Sequence, residues 1–399
     1  MKPIVVLSRE SDAACFKNYA AQRTLDVVWL PISRDEQLLA SRGDVSPVAE
    51  RLYKDSIEPQ AVVSFQDDCQ EITDRLKARF GLPHRPFDVV RSLTNKSLLK
   101  KRPEFSSFIT RHICFDLRDR REEICDRVEH ALRYPVVVKP SNAYYSAGVR
   151  RCEDREQLYD ALAEVRKICR MMHLRRGDSE ILVEEFIHGD EFAIDGFVLG
   201  DRALPLVVHE KWPPLNGPTF HELAYFSSSA SRSEFDELRE FCIDMIRRYC
   251  LVDSPFHLEV RKLGRQMTLL EIAPRMSGSG ASSYALSEIC TGVDVFDILL
   301  SISETNGFHK DDAPDTGRVG IEYDFASDKA GRLRGVGETE IFCRNLGATH
   351  LYKYKTDGEL VDVEGSSLTS CLTAFFSRGS RQEALSLFDT IQAQRPSLV

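Results

Sequence analysis

The sequence has no cysteine pattern to build on. Its eleven cysteines are scattered and never spaced Cys-x-x-Cys. A zinc ribbon needs paired thiolates at short spacing, so that class is excluded. An odd count in a chain of 399 residues argues against a disulfide framework and for small buried residues in a reducing compartment. No apolar run approaches the roughly 20 residues that cross a bilayer. The apolar opening Ile4-Val5-Val6-Leu7 is too short for the core of a secretion signal. Positive charge is scarce too: Lys+Arg 53 against Asp+Glu 62 gives 53 − 62 = −9. That balance argues against a general nucleic-acid binder but permits a local basic pocket. The turn after the first apolar stretch, Ser8-Arg9-Glu10-Ser11-Asp12, has no glycine, so the dinucleotide-binding fingerprint is missing. Repeats and low-complexity tracts are absent. We expect a soluble cytoplasmic protein of two or three domains.

Short apolar stretches alternate with helical ones at the start. Strands are expected at Ile4–Leu7, Val27–Leu30 and Ala61–Phe65, with helices at 13–21 and 69–80. This order predicts a parallel sheet covered by helices. Gly81 to Pro86 reads as a boundary loop. Beyond it, Thr94 or Asn95 can start a helix, and Val136-Val137-Val138-Lys139-Pro140 is a strand leading into a polar loop, Ser141 to Gly148. A helix over 154–170 places Leu158, Leu162, Val165 and Ile168 on one face. From Ile181 the texture changes to longer strands with hairpin turns at Gly200-Asp201 and Gly264-Arg265-Gln266.

The second hairpin carries the sharpest chemical signal. Glu259 and Glu271 each follow apolar residues on its two strands, so both carboxylates can face one side. Two such acids repel unless a cation lies between them, and oxygen donors suit Mg²⁺. The bland alternative pairs them with Arg261 or Arg265 on a solvated face. Lys139, at a strand end, can hold phosphate as a point charge or snorkel to water. Glu184-Glu185-Phe186-Ile187 ends another strand, whose backbone can bond an adenine edge, with Glu191 just beyond; an edge strand with solvated acids is the alternative. The cluster His209-Glu210-Lys211-Trp212-Pro213-Pro214, with His221, Glu222 and Tyr225, either shapes a substrate pocket or forms a surface loop. His257 is a pocket residue or a satisfied core histidine.

The order of these pieces resembles the ATP-grasp superfamily, in the branch of carboxylate–amine ligases that includes the dipeptide-forming L-amino-acid ligases. The matching stretches are Asn95-Lys96, Val137-Val138-Lys139-Pro140, Leu182 to Phe192, His257-Leu258-Glu259 and Leu270 to Arg275. The resemblance implies that Lys96 and Lys139 contact ATP phosphates. It places Glu184, Glu185 and Ile187 at the adenine and Glu191 at the ribose. Glu259 and Glu271 would bind Mg²⁺, or Mn²⁺ in its place. Arg275, with Lys139, would act on the carboxylate and the moving phosphoryl group. Ser277-Gly278-Ser279-Gly280 could offer backbone N–H groups.

Two departures stand out. The family's phosphate loop is glycine-rich, whereas here it reads Ser141-Asn142-Ala143-Tyr144-Tyr145-Ser146-Ala147-Gly148. Ser146 and Gly148 remain, and the tyrosines either change how the loop closes or contact the acceptor. Ala273 stands where many relatives have an asparagine for a second metal, so the number of metals stays open.

The expected fold class is α/β (α+β) with four parts. These are an N-terminal parallel α/β domain (1–90), a first grasp lobe (91–180), a second lobe with the metal site (181–308) and a C-terminal subdomain (309–399). The expected activity is ATP-dependent joining of a carboxylate, an amino acid or a related acid, to an amine through an acyl phosphate. ATP and Mg²⁺ would be the cofactors and small molecules the partners, with no nucleic acid or membrane. A homodimer is compatible with the sequence but not demanded by it. The alternatives are another acceptor (thiol, bicarbonate or a non-amino-acid amine), a nucleotide-binding module without turnover, and a plain interaction protein.

Overall fold

The computed structural model describes residues 2–8, 13–172, 180–303, 313–327, 329–361 and 369–398. Arg9 to Asp12 of the glycine-free turn, and the 308/309 boundary, lie outside these residues. Three parallel strands, Val27–Trp29, Ile4–Val6 and Ala61–Val63 in that spatial order, form the first sheet. Their side chains are apolar on both faces, as a sheet covered on both sides requires. Helix Arg34–Ser41 starts at a capping box in which Ser33 and Glu36 bond each other's backbone N–H.

The second sheet has four antiparallel strands in the order His112–Asp116, Glu180–Glu185, Val136–Pro140, Arg150–Cys152. Helices Arg121–Ala131 and Arg155–Met171 pack on one face over Val136, Val138, Ile181 and Val183. Asp154 caps the longer helix by accepting from Gln157 N at 3.0 Å. Strand Glu180–Glu185 is internal to this sheet, so Ile181–Glu185 belong to the first lobe. The boundary expected at 180/181 therefore moves past the strand, and the edge-strand alternative for Glu184 fails.

The third sheet has eight antiparallel strands. Their order is Gln266–Ala273, Ser254–Leu263, Asp190–Leu199, Arg202–Trp212, Ala224–Ser229, Val319–Ala326, Ser370–Arg378 and His350–Lys353. It runs without a break from the second lobe into the C-terminal part. Strand alternation divides its residues cleanly. One face carries Leu258, Ile272, Ile194, Val208, Phe226, Ile321 and Tyr323, buried under helices Asp236–Tyr249, Val336–Asn345 and Arg381–Gln394. The other face carries Glu271, Glu259, His257, Asp195, His209, Lys211, Tyr225 and Glu322, which the pairing register places side by side. Helix Ala281–Thr291 lies over the inner part of that polar face, bonding Asp195 and Glu322 through Ser283 and Ser282.

Two devices fasten the N-terminal domain to this sheet. Phe296, on helix Val295–Ser303, meets Phe16 and Phe65 at ring separations of 5.1 and 5.9 Å. Arg85 is buried between Asp74, which it grips with Nε and Nη2, and the Pro274 carbonyl, to which Nη1 donates at 2.6 Å. The eleven cysteines are free. Among the described residues, no helix is long and apolar enough to cross a membrane.

Candidate active site

A cavity of about 760 Å³ lies between the four-stranded sheet and the polar face of the eight-stranded one. All ten residues expected at the nucleotide, metal and catalytic positions border it: Lys96, Lys139, Ser146, Glu184, Glu185, Ile187, Glu191, Glu259, Glu271 and Arg275.

From the four-stranded side, Lys139 is only 7% exposed, which removes the snorkelling alternative. Its ammonium pairs with Glu184 Oε1, while buried Lys100 meets Glu184 Oε2 at 2.7 Å. Burial alone would raise the Glu184 carboxyl, but the two ammonium groups win and hold it down at about 2. Glu184 therefore aims the lysines and is itself a fixed anion. Glu185 points elsewhere. It accepts from Arg133 N at 3.0 Å and pairs with Arg111 at 3.4 Å, while its own N–H donates to the Arg111 carbonyl at 3.0 Å. Val137, Phe186, Leu215 and Phe220 form a small apolar cluster, of which Val137, Phe186 and Phe220 line the cavity together with Ile187. The Ile187 carbonyl accepts from Arg261 at 2.8 Å, which fixes this corner.

Lys96 opens helix Lys96–Lys100, capped by Asn95, whose Oδ1 accepts from Ser97 N and Leu98 N. The Lys96 ammonium donates to the Ala143 carbonyl at 2.9 Å and meets Glu271 at 2.9 Å. Burial opposes its charge, but Glu271 outweighs that and raises its pKa. The loop 141–148 answers the missing glycines directly. Tyr145 and Ser146 take φ of 57° and 55°, the left-handed region that glycine usually fills. This costs roughly 1–2 kcal/mol per residue. Tyr145 then bonds across the cavity mouth, its hydroxyl 2.8 Å from Ser279 Oγ.

From the eight-stranded side, Glu259 and Glu271 are direct cross-strand partners. Neither pairs with Arg261, which instead donates to Glu191 at 2.9 Å. The pair fits Mg²⁺: both side chains offer oxygen donors only, on one face, each opposite a cationic side chain that now balances it. For Glu271 that cation is Lys96. For Glu259 it is Lys211, whose ammonium lies 2.8, 2.6 and 2.8 Å from Glu191, Glu222 and Glu259. Lys211 is 2% exposed. Burial would strip its proton, but three carboxylates hold its pKa well above the ordinary value. His209–Trp212 is thus strand, not surface loop.

Asp195 organises the floor. It lies 2.6 Å from His257 Nδ1 and accepts from Ser277 and Ser283, each at 2.5 Å. His257 Nε2 in turn meets Glu259 at 3.3 Å. Burial works against a charged imidazole, yet Asp195 and Glu259 push it up to about 10. Ser277 leads into Gly278-Ser279-Gly280, where φ is 53°, 52° and 88° in succession. A side chain on Gly280 would press on Phe65 at 3.1 Å. Arg275 is held by Asp67 of the N-terminal domain at 2.8 Å, and burial fails to offset that carboxylate, so its pKa rises.

Residues 132–283 match the model of an ATP-grasp domain. The chain carries an ATP-grasp domain. Dapdiamide A synthase of Enterobacter agglomerans is 23% identical over 265 residues, covering 66% of this chain and 60% of that protein. D-alanine–D-alanine ligase of Acetivibrio thermocellus is 33% identical over 133 residues, 33% of this chain and 32% of that protein. The matches thus span from a third to three fifths of those relatives' lengths. In solved structures, an L-amino acid ligase from Bacillus licheniformis superimposes with a TM-score of 0.77 at 18% identity, covering 100% of this chain and 98% of that one. That likeness extends the shared fold beyond the ATP-grasp domain to both ends of the chain.

Sequence reading missed Lys100, Asp67 and Asp195, and named Lys211 only within a cluster. Asp195 had one available signal: an acid inside the apolar run Phe192 to Leu199 has to find a partner.

Proposed function

We propose that the protein is an ATP-dependent carboxylate–amine ligase, joining an amino acid or related acid to an amine with release of ADP and phosphate. The observation that carries this reading is the cross-strand pair Glu259 and Glu271 sharing one cavity with Lys96, Lys139 and Arg275. The names of the relatives, which are amide-forming ligases and synthases, support it.

A carboxylate is a poor acyl donor because its leaving group would be oxide. In the proposed reaction, a carboxylate oxygen attacks the γ-phosphorus and ADP leaves, giving an acyl phosphate. The amine nitrogen, having lost a proton, then attacks the acyl carbon and phosphate leaves. Lys96 and Lys139 would hold the triphosphate and Glu191 the ribose. Val137 and Phe186 would hold the base beside the Glu185–Ile187 backbone, with Ser146 over the phosphates. Arg275 would neutralise the carboxylate and the moving phosphoryl group, fixed charges acting where charge develops. Glu259 and Glu271 would hold Mg²⁺, which when bound offsets charge on the phosphate oxygens. The Tyr145–Ser279 contact would keep water from the intermediate. The cytoplasm, where thiols stay reduced, suits the free cysteines; a homodimer is not needed for the site.

The test is ADP release from Mg·ATP against acids and amines, singly and in pairs, with hydroxylamine as a trap. Acid-dependent release with hydroxamate formation is expected. Release that needs a thiol or bicarbonate would reassign the acceptor. Tight Mg·ATP binding with no release for any pair would overturn the ligase reading.

A further inference from the structure

The cavity runs on past the residues assigned to phosphoryl transfer, to an acidic end they do not use. Strand Val319–Ala326 brings Glu322 and Asp324 there, two residues apart and so on one face. Glu322 is the cross-strand partner of Tyr225, itself the partner of Lys211. Four strand steps separate Glu322 from Glu259. At about 4.8 Å per step this is roughly 19 Å of backbone separation along the sheet. Glu322 therefore lies on the same face as Glu259, four strands away.

Lys355 also lines this end and donates to the Ser370 carbonyl at 2.7 Å, but among the described residues no cation pairs with Glu322. Glu222 is satisfied by Lys211 at 2.6 Å and by the Tyr225 hydroxyl. Asp324 meets His221 Nε2 at 3.1 Å and accepts from Thr373 at 3.1 Å and from Ser370. Among the described residues Glu322 accepts only from Ser282, at 3.0 Å, through Oε1. Its Oε2 is shut off from solvent and has no hydrogen-bond partner among the described residues. Burial, helped by the charges of Asp324, Glu222 and Asp195, pushes this carboxyl up to about 8. A buried carboxylate oxygen without a donor is costly to maintain. The tyrosines Tyr225 and Tyr354 line the same end, close enough to feel the Glu322 charge. A carboxylate and two tyrosines lining one end of a cavity suit a small organic cation.

We propose that Glu322 receives an alkylammonium group of the substrate that is not consumed in the reaction. The proposal rests on reading this cavity as the substrate site. Two sources carry the group: the α-ammonium of an amino acid, or the side-chain ammonium of a basic one.

Titration calorimetry on the full chain with Mg·ADP present tests this. The probes are L-alanine against propionate, and 6-aminohexanoate against hexanoate. The expected result is that one ammonium probe binds at least tenfold more tightly than its des-amino counterpart, and that Glu322→Gln abolishes the difference. Preference for alanine assigns the α-ammonium; preference for 6-aminohexanoate assigns the distal one. Ser282→Ala, which removes the bond aiming Glu322, should reduce the same contrast. Equal binding within each pair, no binding of either ammonium probe, or a contrast unchanged in Glu322→Gln would overturn the proposal. The ligase reading fails separately, on absent ADP release, with the ammonium contrast intact.

Discussion

Lys211 holds three carboxylates of three different segments together, and its removal should have a large and specific effect. Lys211→Met keeps most of the buried stem and deletes the charge. Glu191, Glu222 and Glu259 would then keep oxygens within 4.8 Å of one another, with Arg261 still on Glu191 and His257 beside Glu259 but no cation shared by the three. Breaking a buried ion pair by removing one partner costs about 3–5 kcal/mol. At about 2 °C per kcal/mol for a large domain, the melting transition should fall by roughly 6–10 °C. The loss should also be recoverable in an unusual way. Three converging carboxylates offer oxygen ligands to a divalent ion. A cation at 100 times its Kd returns about 2.7 kcal/mol, more than half the deficit. Scanning calorimetry without nucleotide, in EDTA and then in millimolar Mg²⁺ or Ca²⁺, reads both effects. The variant should gain several degrees from the metal, and the parent protein much less. A fall below about 2 °C, or a variant indifferent to both metals, would refute the argument that Lys211 is the structural cation of this site.

Glu184 gives a pH prediction. Its folded pKa of about 2 lies below the ordinary 4.5. A depressed carboxyl stabilises above the unfolded pKa and loses that contribution as pH falls through the folded one. Melting temperature should therefore drop between pH 4.5 and about 2, and Glu184→Gln should flatten that limb while lowering the neutral-pH plateau. Tyr145→Phe removes the bond to Ser279, worth about 0.5–1.5 kcal/mol. It should raise ADP release that yields no amide product by roughly 2–12-fold, measured as the ratio of ADP to product. Glu271→Gln should abolish turnover. Arg275→Ala should cut kcat by at least 100-fold with Mg·ATP affinity within a few-fold by titration; near-normal rates in both would refute the site assignment.

The parts of this site that were legible in the sequence are those fixed by local rules. A tight turn at Gly264 to Gln266 sets the register of its hairpin as far as Val260 and Leu269, and a one-residue shift at Leu270 then brings Glu259 opposite Glu271, a step that the turn alone does not give. Asn95 before Lys96, and Lys139 at the end of three valines, carry equally local signals. Lys211 does not. Its strand, Arg202–Trp212, is nearly all buried, and the following Trp-Pro-Pro reads as a loop. Its partners come from residues 191, 222 and 259, brought together by pairings that no short window contains. Helix Ala281–Thr291 was missed because its serines look like loop residues, yet they point at Asp195 and Glu322. The eight-strand order was hidden for the same reason: Val319–Ala326 returns to pair with Ala224–Ser229 across some ninety residues.

The Arg85 clamp bears on how this protein can be recombined. Asp74 and Asp67 lie in the N-terminal domain, while Pro274 and Arg275 are consecutive residues at the end of a strand bearing a proposed metal ligand. Two guanidinium groups thus bolt the first domain onto the segment that would align the phosphoryl group. A chimera that exchanges residues 1–90 as a free-standing module would cut both bolts at once. It should retain nucleotide binding and lose rate, unless the donor domain brings its own acid to position 67 and its own arginine and acid to positions 85 and 74. Transplants that respect this seam would move segments 67–85 and 254–275 together.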